Sequence, residues 1–251
     1  MDIANGAHVR ARTVVIATGV SYRKLSAPGL DRLTGAGVFY GASASEGTAL
    51  GGQHVFIAGA ANSAGQAAIN LARHASQVTI LARGDSLASG MSQYLIDEIA
   101  ATANIDVRTN TEVSGANGDG VLETLTLTNN KTGTSQAVSA SALIVLIGAV
   151  PHTDWLPQTI ARDQHGFIIT GNDLATAAHH LTTTPGRLPL ALETSLPGVF
   201  AAGDVRYRSV KRVASVVGEG SVAGSLVAQY LQDHPRSQKQ GVHEDPETVR
   251  T

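Results

Sequence analysis

The chain has 251 residues, 43% of them hydrophobic, which is enough apolar material for the core of one large domain or two small ones. Lys and Arg number 18 against 20 Asp and Glu, so the net charge of −2 offers no overall attraction to nucleic acid or an anionic membrane. No cysteine is present, which excludes a disulfide scaffold, a thiolate nucleophile, a zinc–thiolate site and a redox dithiol built from this chain.

In chain order, Val14-Val15-Ile16 is a short β-branched run that stops at Ala17-Thr18-Gly19, a strand entering a tight turn. Val55-Phe56-Ile57 predicts a second buried strand, running into Gly59-Ala60-Ala61-Asn62-Ser63-Ala64. From there Ala64, Ala67, Ala68, Leu71 and Ala72 recur at helical spacing until about His74, and Val78-Thr79-Ile80-Leu81 predicts the next strand. Strand, glycine turn, helix and strand make a βαβ unit of a parallel sheet. A second helix is predicted over about 91–101. A strand at 105–107 and a small antiparallel meander using 121–127 and 136–139 follow, with turns at Asn117-Gly118-Asp119-Gly120 and Asn129-Asn130. The run 142–150 is the most apolar of the chain and too short to span a bilayer. Within it, Leu143 to Ile147 reads as a strand ending at Gly148. The Thr- and His-rich stretch 173–188 reads as a loop. Val199-Phe200-Ala201-Ala202 is a strand ending at Gly203-Asp204, and 215–231 reads as a helix. A polar tail from 233 predicts disorder. No basic-then-apolar leader opens the sequence, which predicts a cytoplasmic protein.

Three strands thus end in glycine, at Gly19, Gly148 and Gly203, on the strand edge where open α/β sheets bind nucleotides. At the second strand the three fingerprint positions are Gly59, Ala61 and Ala64. The first permits a tight turn, the second a close phosphate approach and the third close helix packing. Such a turn aims a helix N-terminus at a pyrophosphate, although an ordinary βα turn has the same pattern. After the next strand the first polar group is Arg83, not an acid. That suits a 2′-phosphate and hence NADP; a solvated arginine is the alternative.

Together, the segments ARTVVIATG (11–19), VFIAGAANSAGQAAINLA (55–72), LIVLIGAVPHTDWL (143–156) and PGVFAAGDV (197–205) resemble the two-dinucleotide-binding-domain flavoproteins, and thioredoxin reductase in particular. The resemblance implies an α/β, Rossmann-like fold with a complete NADP-binding domain at 48–155. It also implies an incomplete FAD-binding domain split between 1–47 and 156–232, followed by the tail 233–251. FAD and NADPH are the cofactors it implies. On the NADPH side it points to Gly59, Asn62, Ser63, Ala64, Gln66, Arg83 and Gly148. On the FAD side it points to Thr18, Gly19, Gly203, Asp204, Lys211, Arg212 and Val213, with Asp204 bonding the ribityl chain. A plain helix N-cap is the alternative role for Asp204. Gly84 stands where the family carries a second arginine, which implies weaker NADPH selectivity.

Two departures shape the expected function. Ala42-Ser43-Ala44-Ser45 occupies the position of the family's redox CxxC, so Ala42 and Ser45 replace its cysteines. The segments YGASASE and SVKRVASVVGEGS are similar to a cysteine-free, actinobacterial-type subgroup, some members of which belong to larger multidomain chains. The first FAD-binding GxGxxG has no counterpart, which implies an N-terminally truncated chain. The expected activity is hydride transfer from NADPH to FAD and onward to an unknown acceptor, protein or small molecule, without an acid–base residue. A reductase of a ferredoxin- or flavodoxin-like acceptor and a non-catalytic NADP-binding sensor or remnant are the alternatives. The resemblance carries a homodimer as a further expectation, and hinges near 47–52 and 151–156. His179-His180 lacks a spaced third ligand, so no metal site is expected. Ser45 lacks a nucleophile-elbow pattern, so a hydrolase is not expected.

Overall fold

The structure is a computed structural model that describes residues 9–41, 50–176 and 187–235. The strands and helices run β1 (Val14–Ile16), β2 (Val20–Tyr22), β3 (Val38–Tyr40), β4 (His54–Ala58), α1 (Asn62–Ala72), β5 (Gln77–Leu81), α2 (Gln93–Ala101), β6 (Ile105–Arg108), β7 (Thr111–Asn117), β8 (Thr124–Asn129), β9 (Ser135–Ser139), β10 (Ala142–Val145), β11 (Ala149–Pro151), α3 (Asp173–Thr176), β12 (Val199–Ala201) and α4 (Val213–Asp233).

The centre is a five-stranded parallel sheet in the order β3-β10-β4-β5-β6. Its three central strands, β10, β4 and β5, are buried on both faces, as expected of a parallel sheet, while the edge strands β3 and β6 are partly exposed. Side chains alternate across the pleat and feed two different cores. Val55, Ile57, Val78, Ile80, Ala142 and Ile144 point to the layer of α1 and α2. Phe56, Leu81, Leu143 and Val145 point the other way, onto Val113, Leu125 and Leu127 of the meander β7-β8-β9 and onto Leu30 and Leu33. A one-residue slip of any strand would exchange the two sets, so the register is strongly specified.

A second, smaller unit is built on β1 paired parallel with β12, with Val14 opposite Val199. Ile16, Ile168, Ala201 and Val205 pack on one side of this pair. Phe200 and Ala202 meet Ala223 of α4 on the other. The antiparallel pair β2-β11 joins this unit to the carboxyl end of β10.

Several elements differ from the sequence expectation. The predicted strand at 121–127 starts later, as β8, because the Leu122 N–H is taken by Ala36 O instead of a ladder partner. Its antiparallel partner β7 was not expected. Within the predicted loop 173–188, Asp173–Thr176 makes one helical turn with Leu174 buried, while 177–186 lie outside the described residues. The last helix begins at Val213 rather than 215 and runs through its glycines to Asp233, held to β12 by Ala223, Leu226, Val227 and Tyr230. The tail from 236 lies outside the described residues. Among those residues no helix is long and apolar enough to cross a membrane.

Candidate dinucleotide sites

The strand order places a switch point between β4 and β10, where successive connections leave in opposite directions. A ligand crevice is expected there, outside the carboxyl ends of the strands. A cavity of about 750 Å³ opens at this edge. It is bordered by Gly59, Ala60 and Ala61 after β4, by Arg83 and Gly84 after β5, and by Leu146, Ile147 and Gly148 after β10. Gly59 is needed for a steric reason: a Cβ there would lie 2.4 Å from Leu146 O, and its φ is +148°. Ala61 is the N-cap of α1 and supplies no side-chain cap; the Ala64 N–H donates to Ala61 O, while the N–H groups of Asn62 and Ser63 have no partner among the described residues and are open to a ligand. Ala64 is fully buried below the turn, where the fingerprint asks for a small residue.

Of the residues expected on the NADPH side, Gly59, Arg83 and Gly148 border the cavity together. Asn62 Oδ1 instead accepts the Ser92 N–H at 2.7 Å and ties the start of α1 to that of α2. Ser63 and Gln66 are exposed on α1 and do not border the cavity. The sequence reading missed Glu112, Ser114 and the segment carrying Arg23, Leu25 and Ser26, which forms the opposite wall. No local pattern marks those residues. Only the pairing of β2 with β11 and of β7 with β8 carries them to the cavity.

A second constellation lies at the carboxyl ends of β1 and β12. Ala202 N–H donates to Ile16 O, so the turns at Thr18-Gly19 and Gly203-Asp204 leave side by side. Thr18 Oγ1 donates to His152 O at 2.9 Å. Asp204 sits in a 3-10 turn (Gly203–Val205) capped by Ala202, so it is not a helix N-cap. Its Oδ1 is buried and has no hydrogen-bond partner among the described residues. A buried carboxylate oxygen left this way is costly and suits a donor from a bound molecule. A sugar hydroxyl suits it, so these residues fit the ribityl chain of FAD.

The surroundings reinforce that fit. Burial and then the Asp204 charge push the Tyr22 phenol above its usual range. Burial pushes the Lys211 ammonium below its usual range, against the pull of Asp204, Asp163 and Glu219, and its Nζ lies 4.6 Å from the Phe167 ring centroid. Arg212 is the N-cap of α4 and Val213 its first residue, both exposed. The turn itself is clamped. Glu219 Oε2 accepts Gly203 N–H at 2.7 Å and Arg206 Nε at 3.0 Å, while Oε1 accepts Arg206 Nη2 at 2.6 Å. Burial raises the Glu219 carboxyl, yet these bonds outweigh it and hold the group below its usual range. Arg206 Nη1 also donates to Thr170 Oγ1 at 2.9 Å.

Ala42 and Ser45 lie outside the described residues, as do His179, His180 and the first part of the expected 47–52 hinge. The 151–156 segment is anchored: Thr153 Oγ1 donates to Gly166 O at 2.8 Å, and Leu156 is buried.

A parallel sheet with a glycine turn at its switch point defines a Rossmann-like α/β protein. Residues 2–224 match the family described as pyridine nucleotide-disulphide oxidoreductase. The chain belongs to that family, in its thioredoxin-reductase-like part. It is 30% identical over 225 residues to a thioredoxin reductase of Listeria innocua, covering 89% of this chain and 64% of the relative. It is 29% identical over 231 residues to an alkyl hydroperoxide reductase component from Staphylococcus epidermidis, covering 92% of this chain and 41% of the relative. Among solved structures, the thioredoxin reductase of Streptococcus pyogenes matches with a TM-score of 0.71 and 30% identity, covering 88% of this chain and 66% of that one. The chain therefore spans about two fifths to two thirds of the length of these relatives.

Proposed function

We propose that the chain binds NADPH in the cavity at the switch point and FAD at the Asp204 constellation, as the NADP- and FAD-binding parts of an oxidoreductase. The observation that carries this reading is the cavity bordered jointly by Gly59, Arg83 and Gly148. The NADP-binding domain is assigned to about 48–155, flanked by the FAD-binding pieces. Bound FAD would supply the chemistry of accepting a hydride from NADPH and releasing electrons to an acceptor.

The chain's own residues orient and hold. The first turn of α1 offers N–H groups to phosphate. Arg83 offers a fork of donors to a 2′-phosphate at the ribose end. Asp204, held in place by the Glu219–Arg206 clamp, accepts a hydroxyl. The chain contains no thiol, so electrons leave it by a route other than a dithiol of its own.

The test is an absorption spectrum of the purified chain after incubation with excess FAD and desalting, followed by anaerobic NADPH. Flavin bands that bleach on NADPH addition are expected. A chain that retains no flavin overturns the FAD assignment, and bands that persist overturn the hydride transfer.

A further inference from the structure

The cavity has two walls, and only one belongs to the parallel sheet. The other is the segment after β2, with Arg23, Leu25 and Ser26. Arg23 N–H donates to Gly148 O at 3.0 Å. Its side chain runs past Gly148, where a Cβ built on the glycine would lie 4.0 Å from Arg23 Cδ. The stem of Arg23 is thus fixed at the end of β10. Arg83 follows β5, on the other side of β4. The two arginines flank the Gly59 turn from opposite sides. Adjacent strands lie about 4.8 Å apart, so a ligand reaching from β5 to β10 crosses about 10 Å with its middle over that turn.

Among the described residues, the charged ones bordering the cavity are Arg23, Arg83 and Glu112. Thr111 N–H donates to Ala82 O, which puts Glu112 on the Arg83 side. Arg23 is exposed, and among the described residues no carboxylate pairs with it. It borders a cavity that also takes in the turn before α1, where a helix N-terminus favours a doubly charged diphosphate.

We infer that Arg23 is a second coenzyme-binding cation, which grips the diphosphate bridge on the β10 side while Arg83 takes the 2′-phosphate on the β5 side. This rests on the coenzyme reading above. The two contacts have different signatures. The diphosphate is common to NADPH and NADH, whereas the 2′-phosphate belongs to NADPH alone.

The experiment is calorimetric titration of the full chain with NADPH and with NADH, for the wild type, Arg23→Gln, Arg23→Lys and Arg83→Gln. Arg23→Gln is expected to weaken both coenzymes by the same factor, about tenfold, as for loss of a charge-assisted bond. Arg23→Lys recovers part of that loss, and Arg83→Gln weakens NADPH only. Both coenzymes binding Arg23→Gln within twofold of wild type overturns the inference, and so does a loss confined to NADPH. A wild-type chain that binds neither coenzyme overturns the coenzyme reading itself, and the inference with it.

Discussion

Glu219 and Glu193 show how single carboxylates hold the smaller unit together. Glu193 is 1% exposed, receives both guanidinium arms of Arg187 at 2.7 and 2.9 Å, and accepts the N–H groups of Leu190 and Gly198. Burial raises its carboxyl, and these bonds outweigh it to hold the group below its usual range. Each carboxyl has a lower pKa folded than unfolded. The stability each supplies is therefore complete above the ordinary carboxylate value of 4.5 and is lost as pH falls through the lowered values. Thermal melts from pH 7 to pH 3 should show this acid limb, and Glu219→Gln should flatten it. At neutral pH the same variant should cost about 2 kcal/mol, because it leaves Arg206 half-paired in a mostly buried setting. An unchanged acid limb would show that the clamp contributes nothing. The sequence marks Asp204, Gly59 and Arg83 as candidates because each sits beside a strand end with a recognisable turn. Arg23 was not, since an exposed arginine after a three-residue strand has no local signal.

At the scale of elements, legibility followed apolar runs, helical period and glycine turns. β4, α1 and β5 were read nearly to their ends, because the continuous apolar runs of the strands and the small-residue stripe of the helix both persist for several residues. β2, β3, β7 and β11 were missed. β2, β3 and β11 have three residues each, too few to show a period, and β2 and β11 lack the glycine turn that follows the equally short β1 and β12. Each is defined by a partner distant in sequence, β3 by β10, and β2 and β11 by each other. β7 is longer, but an irregularity between Val113 and Gly115 breaks its alternation. The start of α1 is a case where the fold gives a side chain a structural partner. The resemblance places Asn62 on the pyrophosphate turn and helix start, and there its side chain braces Ser92 at the start of α2. Asn62→Ala should therefore lower stability by about 1 kcal/mol, a fall in Tm of a few degrees. It should change NADPH affinity by less than about twofold. A loss of affinity without a loss of Tm would return Asn62 to the coenzyme.

The whole molecule is two units of unequal internal support. The parallel sheet is covered on both sides by extensive cores. β1 and β12 are covered by two smaller ones, and α4 leaves Val213 80% and Val217 68% exposed. The pairing of Val14 with Val199 has a consequence in time. Its two strands come from opposite ends of the described chain, with the whole five-stranded sheet encoded between them. Closing so long a loop costs entropy before any contact repays it, whereas β4, α1 and β5 meet over short separations. The sheet should therefore assemble first and shorten the effective loop, with β1 and β12 joining last. The reverse order holds for opening. In native-state hydrogen exchange, the β1 and β12 amides should lose protection at lower denaturant than those of β4, β5 and β10. Simultaneous exchange of both groups would mean that the molecule opens as one cooperative unit. In sequential opening, the Asp204 turn at the end of β12 would be released while the cavity of the parallel sheet stays formed. The chain would then pass through a state that has given up one site and kept the other.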